Sequence, residues 1–297
     1  MLRCFSATPR GVSSSVSPKH HRGLTTDAPV VRVIGLLRSC FREKFGTPRQ
    51  PLVVPGATAS LTVAKEFHPE QSLAGLERFS HVWLVSYFHL NTNKRFASKV
   101  HPPRLRGGSI GLFATRSPHR PSPLGLSLAR LVAVEGDTLR LAGIDLVDGT
   151  PILDFKPYVP EWDGAALGDD ATAGWTAEHP FPKLRVVLAP AAAEGIRAAE
   201  ERLALGGAGG GGGGSGGLRE QMTDILSQEL RNPRDKKQMT DGTELGFFLY
   251  DFEVRFVVRS GTATVVGILT DTVMNKQDRR LPPSAVPEDP AAALIKT

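Results

Sequence analysis

Short apolar segments separated by turn chemistry fill the first half of the chain. In order they are "PVVRVIGLLRSCF", "ASLTVAKEF", "FSHVWLVSYFHL", "GSIGLFATR", "LGLSLARLVAV", "TLRLAGIDLV" and "PILDFKPYV". Each is rich in Val, Leu, Ile and Phe, residues that suit a pleated, half-buried surface. The clusters "VEGDT" at 134–138 and "VDGT" at 147–150 mark turns between them. Leu139 and Leu141 alternate with polar neighbours, and at Gly143 the alternation slips by one, which predicts a bulge there. Strands at this spacing, with no long helical pattern between them, predict an antiparallel barrel or sandwich. A parallel nucleotide-binding sheet would need crossover helices and a GxGxxG between strand and helix, and neither is found.

Beyond Pro160 the pattern loosens. "EWDGAALGDDATAGWTAEHPFPKL" reads as loop, "RVVLA" as a strand, and Ala191 to Leu205 as an amphipathic helix. The run "GGAGGGGGGSGG" can build no packed core and reads as a flexible linker. Leu218, Met222, Ile225, Leu226 and Leu230 then form one helical stripe. "FFLYDFEVRFVV", a turn at "RSGT" and "ATVVGIL" read as a hairpin. The expected organisation is a basic extension at 1–29, a β-barrel domain at 30–165 and a loop-and-helix connection at 166–205. A glycine linker at 206–217, a small α+β domain at 218–274 and a tail at 275–297 complete it.

Charge sharpens this picture. The net charge of +6 suggests a polyanionic partner, and its distribution strengthens the suggestion. Between Glu77 and Glu135 there is no acid, while Lys94, Arg95, Lys99, Arg104, Arg106, Arg116 and Arg120 all fall inside. Solvated faces normally mix signs, so an acid-free, Arg-rich stretch points to nucleic acid. His81, His89, His101 and His119 lie in the same region without metal-ligand spacing or a companion carboxylate. With only Cys4 and Cys40, neither a disulfide scaffold nor a zinc site is expected. No apolar run approaches the length of a bilayer span, so a soluble protein is expected. Residues 1–28 carry Arg3, Arg10, Lys19 and Arg22, abundant serine, and no acid before Asp27. That composition fits a transit peptide or a basic extension without an address. A cytoplasmic protein is the expectation, with an organelle as the alternative.

Five blocks carry a more specific signal: "GTPRQP" (46–51), "FSHVWLVSYFH" (79–89), "VHPPRL" (100–105), "FATRSPHRPSPLGLSLARL" (113–131) and "DGTPILDFKPYVP" (148–160). Together they resemble the TsaA-like, or TrmO, family, and the match runs from about Val31 to Pro160. "ILSQELRNPR" and "LYDFEVRFVV" resemble the family's smaller C-terminal domain. The resemblance implies a mainly β fold, an antiparallel barrel with a small α+β C-terminal domain, assembled as a homodimer. It implies an S-adenosylmethionine-dependent methyltransferase acting on tRNA, at N6 of the threonylcarbamoyl-adenosine 3′ of the anticodon (position 37). Such a base in a single-stranded loop can be splayed out and read. A tRNA-binding protein without catalysis and a small-molecule methyltransferase on the same barrel are the rival expectations.

Carried over residue by residue, the resemblance implies cofactor contacts at Pro48, Arg49 and Gln50 of "PRQ", and at His89 and Leu90 at a strand end. It adds Arg116 of "TRSPHRP", Leu126, and the block Leu153, Asp154, Phe155 and Lys156. Asp154 and Lys156 are two apart on a strand and face the same side. Buried there, they would pair with each other or meet the charged ends of a methionyl group. Arg95, Lys99, Arg104, Arg106, His119 and Arg120 are the expected RNA contacts. Arg231, Arg234, Lys236 and Lys237 either extend that grip or satisfy carbonyls at a helix end. The prolines of "TRSPHRPSP" limit the freedom of the unfolded loop. No general base is identifiable in the sequence.

Overall fold

The structure is a computed structural model. It describes residues 31–91, 97–105, 107–164, 174–179, 183–205, 217–231, 236 and 241–270. The expectations for residues 1–29, Arg95, Arg106, Arg234, Lys237, most of the glycine linker and the tail lie outside these.

In chain order the first strands are β1 (Gly35–Ser39), β2 (Thr58–Thr62), β3 (His81–Tyr87), β4 (Lys99–Val100) and β5 (Ile110–Gly111). They are followed by β6 (Leu124–Glu135), β7 (Thr138–Ala142) and β8 (Thr150–Pro157). Six of them close a barrel in the order β1-β2-β7-β6-β3-β8, every pair antiparallel. Alternation decides which side chains fill it: Leu37, Leu61, Val82, Leu84, Ala129, Leu139 and Ile152 point inward and are fully buried.

Three local expectations change. "GSIGLFATR" contributes only the two residues of β5, paired to the equally short β4, before a helical turn at Leu112–Ala114. Gly143 marks no bulge. β7 stops at Ala142, and Gly143 turns the chain out of the barrel at φ +73° while donating to the Ala57 carbonyl at 2.8 Å. The register shifts fall elsewhere: on β6 between Leu131 and Ala133, and in the β3–β8 pair between Val85 and Ser86. In the second, Leu153 is the extra residue.

The second layer contains β9 (Arg185–Leu188), the helices Pro190–Leu205 and Leu218–Ser227, and strands β10 (Glu244–Leu249), β11 (Phe252–Arg259) and β12 (Thr262–Thr270). Its sheet order is β10-β11-β12-β9, with β9 parallel to β12. "FFLYDFEVRFVV" is therefore two strands of a three-stranded meander, not one arm of a hairpin. The turn is hidden in an apolar run because Tyr250 takes φ +54° and donates its N–H to the Cys40 carbonyl at 2.7 Å. The helix Pro190–Leu205 and β9, expected in a connection, belong to this layer.

The two layers share one core. Cys40, Phe41, Val54 and Ala57, just outside the barrel strands, are buried in the same cluster as Ile196, Met222, Ile225, Phe247, Phe252 and Phe256. Phe45 stacks on Phe256 at 6.5 Å between ring centres, and Arg42 pairs with Asp251. Packing of this seam, rather than the linker, holds the second layer against the barrel.

Candidate functional site

One end of the barrel collects the residues of interest. β1, β3 and β7 finish there and β2, β6 and β8 begin there, as the pairs Ser39–Ala59, Tyr87–Leu124, Thr58–Ala142 and Leu37–Thr150 require. Loops at this rim carry "PRQ", His89–Leu90, "TRSPHRPSP" and the segment 143–149. Three hydrogen bonds tie the first three into a ring. Lys44 Nζ donates to the Leu90 carbonyl at 2.6 Å, Asn91 Nδ2 to the Pro118 carbonyl at 2.7 Å, and Arg116 Nη1 to Gln50 Oε1 at 2.7 Å. Those from Lys44 and Arg116 are charge-assisted, which fixes orientation as well as adding energy.

The proline-rich loop also braces itself. Thr115 Oγ1 donates to the Leu112 carbonyl at 2.7 Å and accepts from the Ser117 N–H at 3.2 Å. Arg120 Nη1 donates to the Thr115 carbonyl at 2.9 Å, and its guanidinium lies 5.2 Å from the centre of the Phe113 ring. Arg120, expected to meet RNA, thus holds its own loop; His119 and Arg116 are exposed on it. Pro48 is buried. Arg49 points away from the ring and donates to the Leu230 and Glu229 carbonyls at 3.2 and 3.4 Å. Burial, seconded by the Lys44 charge, holds the His89 imidazole below its usual range, so it is neutral at neutral pH.

The remaining cofactor candidates lie on the barrel wall. Val85 of β3 pairs with Leu126 on one side and Asp154 on the other, so the two flank it on the outer face. Leu126 is 63% exposed and contributes nothing to the barrel core. Asp154 and Lys156 form a 2.7 Å ion pair whose side chains are 50% and 71% exposed, which corrects the expectation of a buried pair. Leu153 and Phe155 turn the other way: Leu153 is buried and Phe155 packs on the barrel core. The extra residue at Leu153 resets the alternation that sorts the four.

Three rim residues escaped the sequence reading. Asp145, in the segment leaving β7, accepts a 2.6 Å hydrogen bond from Ser127 Oγ of β6 at its Oδ1. Burial pushes its carboxyl up to about 6, against the opposing pull of Ser127 and of the Arg116 charge. Ser86, the last inward position of β3, is fully buried and its Oγ has no hydrogen-bond partner. Leaving such a hydroxyl unsatisfied costs about 1–3 kcal/mol. Ser86 pairs with Gly125 and Ser127 with Leu84, so the two hydroxyls are diagonal neighbours on the inner face. An aspartate inside the apolar run "GIDLV" was the available signal.

The basic residues divide. Lys99 is exposed on β4. Arg104 donates to the Thr176 carbonyl at 2.6 Å and to the His179 carbonyl, and lies 5.8 Å from the Trp175 ring centre. Trp175 Nε1 in turn donates to the Ala114 carbonyl at 2.8 Å, so Arg104 clamps residues 174–179 onto the barrel. Arg49, Arg104, Arg231 and Lys236 also line a small, open cleft between the layers, together with Pro103, Gln228 and Glu229. Glu229 is the acid among the described lining residues, and the charge of Asp241 also acts on Arg231. Burial works to raise the Glu229 carboxyl, but the fork of Arg231 at 2.8 and 2.9 Å and Lys236 at 3.4 Å hold it below its usual value. Among the described residues no three His, Cys, Asp or Glu side chains gather as a metal site, and no helix is long and apolar enough to cross a membrane.

A closed antiparallel barrel with a rim of tied loops and a neighbouring basic cleft defines the class. Residues 36–164 match the family model of the tRNA-methyltransferase O N-terminal domain. A mouse protein named tRNA (adenine(37)-N6)-methyltransferase is 47% identical over 162 residues, covering 54% of this chain and 36% of its own length. A Pseudomonas aeruginosa protein with the words S-adenosylmethionine-dependent methyltransferase in its name is 40% identical over 229 residues, covering 76% of this chain and 91% of that one. The crystal structure of TrmO from Pseudomonas aeruginosa superposes with a TM-score of 0.64 at 34% identity, over 82% of this chain and 98% of that one. The chain belongs to the tRNA-methyltransferase O family. It spans about a third of the length of the mammalian relatives it matches.

Proposed function

We propose that this chain is an S-adenosylmethionine-dependent tRNA methyltransferase. It methylates N6 of the threonylcarbamoyl-adenosine 3′ of the anticodon (position 37) and works as a homodimer. The observation that carries the reading is the rim, where Gln50, Arg116, His89–Leu90 and Asp145 gather at one barrel end. The residues present suit the donor. A neutral imidazole and exposed leucines can border an adenosyl group, and the guanidinium and the exposed Asp154–Lys156 pair offer charges of both signs for a methionyl group. When bound, S-adenosylmethionine supplies an activated methyl on a sulfonium. The protein's part is to hold the acceptor nitrogen in line, which can be worth many kcal/mol. The basic cleft and Lys99 suit the phosphates of an anticodon stem.

The outer wall supports self-association. Leu124 and Leu126 point outward on β6 at 47% and 63% exposure, and exposed apolar surface can mark interaction sites. Leu126→Glu is expected to convert a dimer into a monomer in sedimentation equilibrium while leaving the circular dichroism spectrum unchanged. An unchanged sedimentation mass would remove this face from the interface. The reaction is tested by mass spectrometry of tRNA nucleosides after incubation with the protein and methyl-labelled S-adenosylmethionine. One label is expected on the threonylcarbamoyl-adenosine; label on another base, or none, overturns the reading. No binding heat for S-adenosylmethionine together with salt-dependent tRNA binding would favour the non-catalytic rival.

A further inference from the structure

The methylation proposed above leaves a proton to be disposed of. As the acceptor nitrogen's lone pair forms the bond to the methyl carbon, the C–S pair leaves with sulfur. The nitrogen then carries a positive charge until its N–H proton departs. An amide-like nitrogen conjugated to both a purine and a carbonyl is a poor nucleophile, so proton removal in the transition state matters. Several residues carried over from the motif blocks are already engaged. Arg49, Arg104 and Arg120 hold carbonyls, and the Asp154 carboxylate is tied to Lys156 on the outer wall. Burial, helped by the Lys44 charge and opposed by the Tyr87 carbonyl, holds the His89 imidazole below its usual range.

From this arrangement we infer that Asp145 is the catalytic proton acceptor, held by Ser127 and facing a rim positioned by Arg116 and Gln50. The geometry comes from three separate elements. The chain leaves β7 at Gly143, so Asp145 stands over the barrel end instead of continuing the strand. Ser127 of β6 donates its hydroxyl to Oδ1 at 2.6 Å and fixes the carboxylate, which keeps further accepting capacity. The charged group acting on it is Arg116, itself bonded to Gln50 in the ring of tied loops. The buried Ser86 hydroxyl, diagonal to Ser127 and without a partner, is an acceptor and donor available at the same end of the barrel. A carboxylate that titrates near 6 is ionised at neutral pH yet basic enough to take a proton.

This inference rests on the proposed tRNA methylation, and the experiment separates the two. Wild type and Asp145→Asn are assayed for methyl transfer to tRNA across pH 5.5–9, and S-adenosylhomocysteine binding is measured by calorimetry. The expected result is a kcat at least about 100-fold lower in Asp145→Asn, the range of general-base contributions, with S-adenosylhomocysteine affinity within about threefold. The wild-type rate should fall on the acid side near pH 6 and the variant should lose that limb, while Asp145→Glu recovers part of the rate. Transfer within about threefold of wild type in Asp145→Asn overturns the inference. So does parallel loss of S-adenosylhomocysteine binding, which would make the residue structural. If wild type itself methylates no tRNA, the proposed function fails first and takes this assignment with it.

Discussion

At the scale of single residues, the displaced carboxyls of Glu229 and Asp145 move in opposite directions and give opposite stability signatures. Glu229 is held below its usual value, so its contribution is full above the ordinary glutamate range and is lost as pH falls through the depressed value. Glu229→Gln is expected to cost about 3 kcal/mol at pH 7, as for breaking a largely buried pair, and the difference should shrink toward zero in acid melts. Asp145 is raised to about 6, so its charged form weakens the fold above that pH and the penalty fades as pH falls toward the unfolded value. Asp145→Asn should therefore melt higher than wild type at pH 7.5, by at most about 3 kcal/mol, and equal it below about pH 4. A lower melting point at pH 7.5 would contradict the assigned environment. "PRQ" and "TRSPHRP" were legible as compact blocks of the resemblance, and the structure brings both to the rim. Side-chain direction was not legible. Arg49, Arg104 and Arg120 end on backbone carbonyls that only tertiary packing brings near, and Asp145 hid in a run that reads as strand.

At the scale of elements, alternation was a sound guide wherever a strand has one face on the barrel core, as in β3 and β6. It misled where the backbone turns for reasons set by a distant partner. Tyr250 bends an apolar run because the Cys40 carbonyl takes its N–H. The same dependence makes one glycine critical. Gly46, in the block that leads into "PRQ", takes φ +89°, and a Cβ there would come within 2.7 Å of the Phe247 ring. Strain at positive φ and the crowding of Phe247 act together. Gly46→Ala should destabilise by on the order of 2 kcal/mol and loosen the ring, weakening S-adenosylhomocysteine binding although Gly46 touches no rim group. Unchanged stability and affinity would show that the loop can yield without disturbing Phe247.

At the scale of the molecule, a twelve-residue glycine run suggested two domains joined by a tether, and the two layers meet in one buried cluster. Phe41 and Cys40 follow β1 directly, yet they are buried among Met222, Phe247 and Phe256 of the second layer. No feature of "RSCF" says which side of the barrel will cover it; that is fixed by residues two hundred positions away. The consequence is cooperativity. Because the seam also carries Arg49 to the Glu229 and Leu230 carbonyls, the rim loop and the basic cleft are supported by the same packing. Calorimetric unfolding should then show one transition for the barrel and second layer, not two. Phe41→Ala, expected to cost about 3–5 kcal/mol, should reduce amide protection in β1 and β11 together in hydrogen exchange. Loss confined to one layer would mean that each folds alone and that the cleft between them is an accident of docking. Loss in both would tie the cleft to the rim through a shared core.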